Sequence, residues 1–205
     1  MDYKKEEQEL NERFKNEALV GWDGCFYGYI ERAFLPAYGW PARFEVYGVE
    51  PNAGILDERY EDHDRVTEDM IEDNFLRHSG VRLTDDEAAA VKAVRELRTT
   101  PTSVDAEALA KKATARGFDP SYFYRKEIRD LNAKIQTAEE NIKALFAKIG
   151  VDGTPKQEGY GTFAEDAADL LALHLKNKVD KARLKMEQDK WMEEKLKKAV
   201  KGGQR

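Results

Sequence analysis

The sequence predicts a mainly α protein in three parts. Residues 1–80 form an aromatic-rich α+β head with a short hairpin. Residues 81–118 are short connecting helices. Residues 119–205 form a long αα-hairpin or coiled coil with a basic C-terminal tail. Three observations carry this prediction. In 124–149 the apolar residues Tyr124, Ile128, Leu131, Ile135, Ala138, Ile142, Leu145 and Ile149 alternate in steps of four and three, an a/d heptad seam. Charged residues make up 36% of the chain and hydrophobic ones 41%, a balance that suits long helices burying one stripe each. The aromatic residues crowd into 22–47, where one segment alone alternates cleanly.

Residues 3–20 read as a helix, with Leu10, Phe14 and Ala18 at a spacing of four and a thin apolar face. In the aromatic block, Trp22, Phe26, Ile30 and Ala33 fall on one helical face with Gly21, Gly24 and Gly28 near the opposite side. The segment reads either as a helix packed closely through its glycines or as an irregular loop-rich core, the glycines weakening the helix. Residues 43–49 (RFEVYGV) alternate and form the best strand. Pro51, Asn52 and Gly54 turn the chain, and Ile55-Leu56 opens a second strand to complete the hairpin. Val66, Met70, Ile71, Phe75 and Leu76 share a helical face that Ser79-Gly80 terminates.

Thr84 and Glu87 form a capping box. The helix they open, 85–97, turns Ala88, Val91, Val94 and Leu97 inward. A linker, 99–103, leads to a helix over 104–115 with Ala108, Leu109 and Ala113 inward and Gly117 as its stop. Asp119-Pro120 supplies a cap and a first-turn proline for the heptad helix, which Gly150 ends. After a glycine-rich loop, Thr162 and Glu165 form a second capping box. The last helix runs over 162–200, apolar first on Ala164, Ala167, Ala168, Leu171 and Leu175, then thinly on Val179, Ala182, Met186, Met192, Leu196 and Val200. The simplest assembly pairs 119–149 antiparallel with 162–200 and leaves a basic overhang. The alternative pairs the seam with a second copy.

The net charge of −6 opposes general nucleic-acid binding. Acids dominate 56–73, and bases dominate from Lys176 onward. No apolar run reaches the roughly 20 residues needed to span a bilayer. The opening residues lack a secretory core, and the single Cys25 cannot form an internal disulfide, so a cytoplasmic setting is expected.

Candidates for chemistry are weak. Glu58, Glu61, Asp62, His63 and Asp64 offer hard-metal ligands without calcium-loop or zinc spacing, and read better as an acidic helix start. Cys25 lacks a nucleophile signature and reads as a small buried hydrophobe. His174 reads as an edge-of-core histidine. No phosphate-binding glycine motif is present. No cofactor or metal is therefore expected. The expectation is a non-enzymatic structural or adaptor subunit of a cytoplasmic or virus-encoded assembly. It would work through self-association or a protein partner, using Ile128, Leu131, Ile135, Ile142, Leu145 and Ile149 on the seam and Lys185, Lys190, Trp191, Lys195, Lys197 and Lys198 on the tail. Two rivals are nucleic-acid binding through the basic tail and a small metal-dependent enzyme using residues 58–64.

Overall fold

The computed structural model describes residues 3–21, 23–34, 43–48, 65–67, 76–100, 106–156 and 163–202. The chain is mostly helical, with an N-terminal antiparallel sheet followed by helices that include two long ones. A first helix, α1 (Tyr3–Phe14), precedes strands β1 (Glu17–Gly21), β2 (Phe26–Phe34), β3 (Arg43–Gly48), β4 (Arg65–Thr67) and β5 (Leu76–Arg82). The strands lie in the order β4-β3-β2-β1-β5, and every neighbouring pair is antiparallel.

Two expected helices, and the helix-or-loop reading of the aromatic block, are corrected here. The helix of residues 3–20 stops at Phe14, because Asn16 adopts a left-handed backbone (φ 63°) that asparagine tolerates. Its N–H donates to Ile30 O (2.7 Å) and its carbonyl accepts from Leu83 N (2.7 Å), which ties the turn to the sheet. Ala18, Leu19 and Val20 then continue as strand. The block around Phe26, Ile30 and Ala33 is also strand. Gly28 sits where a Cβ would lie 2.5 Å from Tyr47 O, so the missing side chain permits close approach of β3 rather than helix packing. Ser79-Gly80 lies inside β5, not at a helix end. Gly80 (φ 69°) sits opposite a register shift in β1 and donates its N–H to Glu17 Oε1 (3.1 Å), the signature of a bulge. The strand expected at 43–49 is present as β3, paired with β2 and β4. Ile55-Leu56, Met70 and Ile71 lie outside the described residues.

Both faces of the sheet are covered. On one face, Leu19, Ile30, Ala33, Phe44 and Val46 pack with Phe14 and Leu10 of α1. Phe14 meets Phe44 edge-on at 5.1 Å. Asn11 holds α1 down by pairing both its amide groups with the Ala33 backbone at 2.8 Å. On the other face, Ala18, Val20, Phe26, Tyr29 and Val81 join the main core. The described aromatics of the sheet region are thus divided between its two faces and form no single cluster.

Four helices follow: α2 (Asp85–Thr99), α3 (Ala106–Ala115), α4 (Pro120–Ile149) and α5 (Phe163–Gly202). The capping box of α2 forms as expected: Glu87 N donates to Thr84 Oγ1 (3.2 Å) and Thr84 N to Glu87 Oε2 (2.6 Å). Asp119 caps α4 by accepting from Ser121 N (2.9 Å), and Gly150 ends it in the left-handed conformation (φ 75°). The Thr162 cap lies outside the described residues.

The helix pairing differs from the expected hairpin. The main partners of α4 are α2 and α3, and its contact with α5 is limited. Lys148 of α4 reaches Asp86 at the start of α2 (2.7 Å), so these helices run antiparallel. α3 folds back onto α4 through the turn in which Phe118 N donates to Ala113 O (2.9 Å). Where α4 and α5 meet they advance in the same sense: Lys143 lies over the Phe163 ring, and further along Leu170 and His174 stand beside Ile149 and Gly150. The physical reason lies in what each stripe meets. Alanine-rich α2 lets α4 approach closely, while Ala167, Ala168, Leu171, Leu175 and Val179 of α5 pack into the core that the sheet and α2 share.

Candidate docking surface

The seam on α4 is largely consumed within the chain. Ile142 is fully buried, and Ile128, Leu131, Ile135, Leu145 and Ile149 are half-buried. Their cover comes chiefly from α2 and α3, so the seam does not stand open to a second molecule along its length. Of the two partners the spacing allowed, one from this chain and one from a second copy, the first is the one present, supplied by α2 and α3 rather than α5.

α5 presents the opposite case. Its inner stripe is buried from Phe163 to Val179, and Ala182 is the last residue packed against the core. Beyond it, every residue from Leu184 to Lys197 is exposed. The helix continues to Gly202, so it projects about 30 Å past Ala182 at the α-helical rise. Leu184 (60% exposed), Met186, Trp191 (54%), Met192 and Leu196 (63%) stand on this projection. That many large apolar side chains on one exposed helix exceeds the scattered apolar residues of an ordinary surface.

The root of the projection adjoins a groove of about 640 Å³ between α5, the end of α4 and Glu87 of α2. Ile149, Leu170, Leu173 and Ala182 supply its apolar lining, and Asp152, His174, Asn177, Lys178, Lys181 and Lys185 supply polar lining. His174 is half-buried at this edge, as expected from the sequence. Glu87, buried, is paired with Lys178, whose Nζ also donates to Arg82 O (3.2 Å). This pair joins α5 to α2 beside the buried stripe that anchors the helix. The side-chain bond from Lys176 to Asp180 (2.7 Å) raises the Lys176 pKa, so that ammonium stays charged.

At 100° per residue, Leu184, Trp191, Met192 and Leu196 fall within an arc of about 140°. Leu170, Leu173, His174 and Asn177 fall on the same arc, so groove and projection present one continuous outer face that borders the buried stripe. Of the tail lysines named from sequence, Lys185 and Lys195 lie on this arc, whereas Lys190 and Lys197 lie off it. The tail therefore lacks one basic stripe. Lys198 is on the helix, with its side chain outside the described ones. Sequence reasoning missed Leu173 and Leu184; their signal was the seven-residue interval from Leu184 to Trp191, away from the inner stripe.

The other candidates gain little. Cys25 is exposed, contrary to the expected buried hydrophobe. Its thiol pKa is raised, chiefly by the hydrogen bond to Asp23, which disfavours a nucleophilic thiolate. Residues 58–64 lie outside the described residues, and among the described residues no cluster of three metal-ligating side chains occurs. No described helix is long and apolar enough to cross a membrane. Comparison with known proteins found no matching family, no similar curated protein and no similar solved structure.

Proposed function

We propose that this protein is a non-enzymatic adaptor or structural subunit that engages a protein partner through the projecting half of α5. One observation carries the reading: a helix anchored in the core by its first half holds Leu184, Trp191, Met192 and Leu196 out in solvent. A helix ligand presents anchors in this way to a groove on its partner. The packed sheet, α2 and the first half of α5 give the projection a rigid base, which lowers the ordering cost of binding. The assembly context envisaged is intracellular, with a virion component as one version of it.

The test is site-specific photo-crosslinking from position 184 or 191 of the full chain, expressed in its native cells. Protein adducts are expected from both positions, and none from exposed position 140 on α4. Adducts confined to nucleic acid, or no adducts, would overturn the reading.

A further inference from the structure

The charges on the projection are sorted by face, and the sorting identifies the kind of partner. From the groove outward, the arc that carries Leu184, Trp191, Met192 and Leu196 also carries Lys181, Lys185 and Lys195, with Lys178, paired to Glu87, at its edge. The four acids of the projection, Glu187, Asp189, Glu193 and Glu194, all lie off that arc, mixed with Arg183, Lys190 and Lys197. The apolar anchors therefore share their arc with lysines, while Asp189 borders it about 20° beyond Leu196 and Asp152 lines the groove at its root. Lys195 stands over the Trp191 ring with Nζ 3.9 Å from its centroid, so one ammonium sits at the middle of the face.

Resting on the docking function proposed above, we infer that this face binds an acidic protein surface: an apolar groove or helix whose rim carries Asp and Glu. Charge complementarity selects it. Carboxylates on a rim would meet Lys181, Lys185 and Lys195 while the partner's apolar centre receives Leu184, Trp191 and Leu196. A second copy offering the same face would set lysine against lysine, which disfavours a symmetric dimer through this arc. An anionic bilayer matches the sign of the charge but not its placement. Interfacial helices keep lysines at the margins of the apolar arc, and Lys195 is central here.

The experiment uses the full chain and two synthetic amphipathic helices with leucine at a and d, one with glutamate and one with lysine at e and g. Trp191 emission is the readout, with Trp191→Ala as the control that isolates its signal. The acidic helix is expected to shift the emission to the blue and to bind about tenfold more weakly when salt rises from about 50 to about 500 mM, as screening weakens the lysine contacts. The lysine helix is expected not to bind. Lys181→Glu/Lys185→Glu/Lys195→Glu, three exposed changes, should reverse the preference. Equal binding of both helices, no binding of the acidic one, or a larger response to phosphatidylserine vesicles or duplex DNA would overturn the inference. Protein adducts in the crosslinking experiment alongside such a result would remove the acidic assignment and leave the docking function standing.

Discussion

The seating of α5 on α2 rests on Glu87, and a mutant cycle measures it. The Glu87 side chain is 7% exposed and Lys178 is 30% exposed. Glu87 Oε2 also accepts the Thr84 N–H at 2.6 Å, so one carboxylate closes the α2 cap and holds α5. Glu87→Ala removes half the capping box, worth about 1 kcal/mol. It also strips Lys178 of its counter-charge. A fully buried broken pair costs about 3–5 kcal/mol, but Lys178 can turn toward water, so about 1–2 kcal/mol is expected. The total is about 2–3 kcal/mol. Glu87→Gln keeps an acceptor for Thr84 and should cost about 1 kcal/mol. Lys178→Met leaves a buried carboxylate without its ammonium and should cost about 2 kcal/mol. The assay is urea unfolding with linear extrapolation for wild type, both single variants and the Glu87→Gln/Lys178→Met double variant. A coupling energy of about 1–2 kcal/mol is expected. A coupling indistinguishable from zero would show that this pair does not help to hold α5 on α2.

Four further outcomes follow from the packing. Ile142→Ala should cost about 3 kcal/mol and Leu131→Ala about 1 kcal/mol by urea unfolding, because only the first is fully buried; equal costs would refute the partition of the seam. Gly28→Ala drives a Cβ into the Tyr47 backbone and should cost about 2–3 kcal/mol, and a neutral result would show that β2 and β3 are spaced differently. The Tyr29 phenol is held above its ordinary value near 10, first by burial and then by the Glu31 charge. The unfolded chain releases that proton near pH 10 and the folded chain does not, so this stability is present below pH 10 and is lost as pH rises. Tyr29→Phe should flatten the alkaline branch of a pH–melting profile at a cost below about 1 kcal/mol, since the hydroxyl has no hydrogen-bond partner among the described residues. Cys25 should alkylate slowly at pH 8 despite its exposure, and Asp23→Asn should accelerate it; a rate equal to that of a free thiol would remove the hydrogen-bond account.

The sequence by itself determined features whose physics is local. A capping box needs four consecutive residues, so the start of α2 was legible from Thr84 and Glu87. Asp119-Pro120 and Gly150 bounded α4 for the same reason, and the thinning stripe of α5 marked where its burial ends. β3 was legible because Phe44 and Val46 alternate with less buried Glu45 and Tyr47.

Only the tertiary structure decided the rest. β1 is buried on both faces, so Ala18, Leu19 and Val20 show no alternation, and its partner β5 lies some 60 residues away. Nothing near either strand in sequence signals that pairing, which is why local spacing read both segments as helix. The heptads of α4 demanded a neighbour but could not name it: any apolar ridge satisfies such a seam, and the fold supplied α2 and α3. With that ridge occupied, the outer face of α5 is an apolar surface left open among the described residues. Its apolar residues earn no burial from this chain because the body ends at Ala182, a boundary set by packing.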